Sequence, residues 1–105
     1  MVFSVDLRPD AFGKHPWAQV VTLRDYATVL APVGGPDGSV VLGYTAAADA
    51  EPADHVVYLV AEAGQVPDVA EVEYVGVAAP QGMGVLQVWV VAASDDALAD
   101  VPPGS

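Results

Sequence analysis

Two stretches of the chain, Val56-Val57-Tyr58-Leu59-Val60 and Val85-Leu86-Gln87-Val88-Trp89-Val90-Val91, are apolar on both alternating faces, Gln87 aside. This feature constrains the fold more than any other. Runs of β-branched and aromatic residues favour extended backbone. An antiparallel strand with one wet face alternates apolar and polar residues, whereas these two need cover on both sides. No long helical pattern in the sequence offers that cover.

Two explanations compete. In one, small apolar residues simply sit on the surface without consequence. In the other, part of the second face is buried against another chain. The 105 residues make one ordinary domain,. A chain of that size has little material to spare for a second layer, and a contiguous exposed apolar patch marks an interface. The second explanation is therefore preferred. Leu86, Val88 and Val90 share one side of their strand and are the better core residues. Trp89 shares the other side with Gln87 and Val91. It is either an interface anchor, as tryptophan often is, or a core residue. The candidate interface residues are Trp89, Val91, Val57, Leu59 and Trp17.

Composition supports a folded chain: 53% of residues are apolar and 16% charged, against roughly 45–50% and about 25% in typical domains. Twenty-one residues are Val; there is no Ile, Asn or Cys, and Lys14 is the single lysine. Codons for Ile, Asn and Lys are A/T-rich, so this bias points to a G+C-rich genome, bacterial or phage. The lack of Cys excludes disulfides, thiolate zinc sites and a cysteine nucleophile.

The net charge is −11, with only Arg8, Lys14 and Arg24 as fixed positive charges. Three bases cannot form a phosphate-tracking stripe, so nucleic acid is not an expected partner. The same charge repels anionic membrane. No segment has the roughly 18–20 uninterrupted apolar residues of a transmembrane helix. The first residues lack the basic and apolar regions of a secretory signal. The expected location is the cytoplasm or a virion.

Gly and Pro punctuate the chain at short intervals, as in β-rich domains. Val2–Leu7 alternates, with Val2, Ser4 and Asp6 facing one way and Phe3, Val5 and Leu7 the other,. Residues 10–16 read as a loop and Trp17–Leu23 as a second strand. Residues 24–31 fit either helix or strand, with strand preferred. Gly34-Gly35-Pro36-Asp37-Gly38 is a turn, making 28–45 a hairpin with a long tip. Residues 45–54 read as a loop, because Pro52 stops any helix that Thr45 might cap. His55–Ala63 is a strand, and roughly 69–93 a second hairpin. Ser94 caps a short helix over Asp95–Ala99. The expected fold is mainly β, an antiparallel sandwich or small barrel of six or seven strands, with at most one short C-terminal helix. A single domain is expected over 1–100, with a frayed tail over 101–105.

Candidate chemistry is sparse. His15 and His55 lack zinc-ligand spacing. Asp49, Glu51 and Asp54 share a loop without the calcium-loop order. Glu71 and Glu73 read as a polar strand face rather than a glycosidase pair. Ser4, Ser39, Ser94 and Ser105 have no nucleophile-elbow context. The glycine pairs are turn glycines, not phosphate loops. The run His55–Val60 is similar to metal-bearing strands of the glyoxalase and bleomycin-resistance type, but the helix and further paired ligands of that pattern are absent. No cofactor or metal is expected. The expectation is a non-enzymatic structural or interaction protein that forms homo-oligomers or docks on a larger assembly, for example a capsid-decorating or other virion accessory protein. The alternative is a small binding module. It would be either an immunity-type inhibitor of a basic partner or a barrel holding a small apolar ligand.

Overall fold

The computed structural model describes residues 2–7, 17–35, 38–61, 64, 67–81 and 84–101. In chain order the elements are β1 (Val2–Leu7), β2 (Trp17–Arg24), β3 (Thr28–Val29), β4 (Val33–Gly34), β5 (Val40–Thr45), β6 (Pro52–Ala61), β7 (Glu73–Ala78), β8 (Leu86–Ala92) and α1 (Asp95–Ala99). They form two antiparallel four-stranded sheets. In the first, β5 pairs with β1 on one side and with β3 and β4 on the other. In the second, the order is β2-β6-β8-β7. The mainly-β, antiparallel expectation holds, and so does the short C-terminal helix. β3 and β4 pair along the same edge of β5, two halves of one bent strand.

Local residue choice explains much of this. In β1 the alternation works as read: Val2, Ser4 and Asp6 are exposed, while Leu7 is buried and Phe3 and Val5 pack on the core. The 28–45 hairpin closes through Gly35 N–H to Ser39 O (2.7 Å) and Gly38 N–H to Gly35 O (3.3 Å). Ser94 caps α1, its Oγ accepting from Ala97 N–H at 3.2 Å,.

Three boundaries differ from the sequence reading. The second hairpin, read from residue 69, gains its first strand only at Glu73: Val69–Val72 closes a turn with Glu71 at φ 66, so Glu71 and Glu73 do not share a strand face. Residues 24–31 do not form one strand. β2 ends at Arg24, and a tight turn places Tyr26 at φ 58 before β3 begins. The segment read as a loop before His55 is already strand from Pro52. Pairing with β2 imposes this, Arg24 lying opposite Pro52 and Thr22 opposite Asp54. Proline is tolerated there because it opens the strand.

The main core lies between the sheets. Leu7, Val40, Leu42 and Tyr44 of the first sheet meet Val21, Leu23, Val57, Leu59, Ala78, Leu86, Val88 and Val90 of the second. At one corner the sheets approach backbone to backbone. A Cβ on Gly34 would fall 2.5 Å from Pro80 N, and one on Gly76, at φ +147, would fall 3.1 Å from Pro32 Cδ. Only glycine fits both places.

A second, smaller core lies on the outer face of the second sheet. Ala18, Val56, Tyr58, Val60 and Val91 are buried there under Ala97 of α1, with Val20, Val69, Val72, Trp89 and Val101 packed around them. The premise that the chain has nothing of its own to cover this face is thereby corrected. A five-residue helix, the 67–72 connection and Val101 provide the cover. Val101, read as the start of a frayed tail, belongs to this packing; residues 102–105 lie outside the described part of the chain.

Candidate interaction surface

The outer face of the second sheet carries two cross-strand rows. Tyr58 of β6 lies opposite Trp89 of β8, which lies opposite Tyr74 of β7. In the next row Val60 lies opposite Gln87, and Gln87 opposite Val77. Strand pairing places all six side chains on one face.

Exposure rises steeply along both rows. Tyr58 and Val60 are 0% exposed, Trp89 and Gln87 are half-buried, and Tyr74 and Val77 are 51% and 50% exposed. The cover formed by α1 and 67–72 therefore seals the β6 half of the face and leaves the β7 half open. Val85, just before β8, is also exposed.

The open half is ordered by its own contacts. The Tyr74 and Trp89 rings lie 5.1 Å apart, tilted by 58°, within the range of favourable aromatic pairs. The Trp89 indole N–H donates to Gln87 Oε1 at 3.2 Å. The sealed half is clipped by the Tyr58 hydroxyl, which donates to Asp100 Oδ2 at 2.7 Å. Burial, with the Asp100 carboxylate second, pushes the Tyr58 hydroxyl above the usual tyrosine range,.

The five interface candidates separate clearly. Val57 and Leu59 are fully buried in the inter-sheet core, and Val91 is buried beneath the C-terminal cover. As core residues of this chain they have no surface to offer a second one. Trp89 is half-buried and borders the open patch. Trp17 opens β2 opposite Leu59, and its side chain lies outside the described part of the structure. Tyr74 and Val77 were missed by the sequence reading. Their signal was available in the alternation of Glu73-Tyr74-Val75, but a bulge between Tyr74 and Gly76 shifts the register and brings Val77 onto the same face as Tyr74,.

The polar candidates are dispersed. His55 Nδ1 lies 3.0 Å from Ala53 O, and His15 lies outside the described residues. Asp54 Oδ1 accepts from Thr22 Oγ1 at 3.2 Å. Asp49, Glu51, Glu71 and Glu73 are exposed. Among the described residues no group of three or more His, Asp or Glu is placed to hold a metal ion, and no helix is long and apolar enough to cross a membrane. Arg24, the one Lys or Arg among the described residues, reaches the Ala50 and Ala48 carbonyls at 2.9 and 3.3 Å, with its guanidinium 4.6 Å from the Phe3 ring centroid. Compared with family models, with curated proteins and with solved structures, the chain has no match.

Proposed function

We propose that this chain is a non-catalytic interaction domain that docks on a partner protein through the open half of its second sheet, around Tyr74, Val77 and Trp89. One observation carries this reading: an aromatic pair, Tyr74 exposed and Trp89 half-buried, and the exposed Val77 continue an apolar face whose other half the chain seals for itself. Solvent-facing aromatic residues packed into a patch are what protein interfaces use as anchors. Their neighbours in the same rows demonstrate the cost of leaving such a face wet, because the chain devotes its C-terminal helix to covering them.

Attachment to a larger assembly, such as a virion accessory protein on a capsid, is one concrete form of this function. The ligand-holding alternative has less support. Large side chains from both sheets fill the space where an apolar ligand would sit.

A photo-crosslinking residue placed at position 77 in the producing cell tests the proposal, with position 4 on the outer face of the first sheet as control. The expected outcome is a protein adduct of one definite mass from position 77, none from position 4, and loss of the adduct on adding Tyr74→Ser. No adduct from position 77, or equal adducts from both positions, would refute it.

A further inference from the structure

We infer that the open half of the face receives an arginine-bearing basic segment of the partner. This rests on the docking reading above and adds the chemistry of the occupant.

Charge is the first reason. The chain carries −11, and on the outer-face side its exposed carboxylates include Asp95, Asp96 and Asp100, on or beside the helix covering the adjacent half, and Glu71 in the turn before β7; Glu73, opposite Val90, faces the other side of the sheet. Asp100 is placed by its bond to Tyr58, the strand neighbour of Trp89. Among the described residues the one Lys or Arg, Arg24, is tied to the Ala48 and Ala50 carbonyls on β2's side of the sheet, with β6 and β8 between it and β7. A second copy of the chain would bring the same negative charge to the contact, whereas a basic partner brings the complement.

Ring chemistry is the second reason. Trp89 and Tyr74 present a tilted pair of ring surfaces at the open end of the row. Gln87 holds the indole N–H of Trp89, and Trp89 also packs on the sealed half, so the ring face of Tyr74, 51% exposed and backed by Trp89, is the recognition element. A cation over such a face is attracted by the ring quadrupole. Guanidinium suits it better than ammonium, because it is planar, weakly hydrated and able to stack while its N–H groups reach carboxylates. Val77 alongside gives the apolar stem of the arginine a surface to lie on.

Two synthetic peptides of equal length and charge test the inference, one built from arginine and glycine, the other from lysine and glycine. Each is titrated into the full chain at about 150 mM salt, where diffuse attraction is screened, and followed by amide NMR shifts. The arginine peptide is expected to move the amides of Tyr74, Val77, Gln87 and Trp89 and to bind at least about 3-fold tighter than the lysine peptide. Tyr74→Ser should weaken arginine binding by about 3-fold or more while the melting temperature is unchanged. Equal affinity for both peptides, indifference to Tyr74→Ser, or shifts confined to other strands would each overturn the inference. The docking reading falls separately, on the crosslinking result at position 77.

Discussion

Val60 and Val77 flank the same residue, Gln87, on the same face of the same sheet, yet one is fully buried and the other half exposed. Nothing in their chemistry separates them. The difference is set by where the covering segments land. The helix after β8 and the connection before β7 fold back over β2, β6 and the near side of β8, leaving β7 bare. Two-faced apolar strands in a small chain thus need no second chain throughout. The cover can be assembled from short pieces, and the part left uncovered is where a partner is to be sought.

The same charge placed in the two halves should have very different costs. Val60→Asp puts an unpaired carboxylate into the sealed outer-face cluster, where Gly64 also packs on Val60, and is expected to cost about 3–5 kcal/mol. Val77→Asp should stay within about 0.5 kcal/mol, as at most surface positions. Denaturant melts of the two variants measure the contrast, and similar costs would erase it.

The clip on the sealed half comes next. Tyr58→Phe removes the hydrogen bond to Asp100 and should cost about 1–2 kcal/mol. It should also change the alkaline limb of stability. A free tyrosine ionises near pH 10, whereas burial keeps the folded Tyr58 neutral to higher pH. The stability tied to that neutral hydroxyl is fully present below about pH 10 and is lost as pH rises above it. Chemical denaturation across pH 8–11.5 should therefore show a steeper alkaline decline in the parent chain than in Tyr58→Phe (roughly 10 marks the onset).

A smaller effect is expected at the helix cap. Ser94→Ala removes the acceptor for Ala97 N–H and should cost about 1 kcal/mol,. Amide exchange should quicken first in α1 and then at the outer-face residues beneath it. Smallest of all is Tyr74→Ser, expected within about 0.5 kcal/mol in stability, with its consequence confined to partner binding.

The sequence was most informative where the determinants are local. Alternation placed each side chain of Val2–Leu7, the Gly-Gly-Pro-Asp-Gly turn located the first hairpin, and Ser94 marked the helix start. Residues 52–54 were misread because Ala, Asp and Pro carry no strand signal of their own, and the β2 partner dictates their conformation. The cover over Val56, Tyr58 and Val60 was illegible for a related reason. A helix of little more than one turn buries a single Ala97, too little for any periodic pattern, and Val69, Val72 and Val101 each contribute alone from irregular backbone. Trp89 reads as either core or interface from sequence, and it stands at the boundary, packed on the sealed half and paired with Tyr74 on the open one. Val77 escaped because a bulge between Tyr74 and Gly76 breaks its strand's alternation.

Hydroxyl-radical footprinting of the free chain, read by mass spectrometry on Tyr58, Trp89 and Tyr74, tests the division of this face most directly. The expected result is rapid modification of Tyr74, intermediate modification of Trp89 and protection of Tyr58. Modification of Tyr58 as fast as that of Tyr74 would mean the C-terminal cover is not in place. Protection of Tyr74 that disappears on dilution would mean that copies of the chain already occupy the open half.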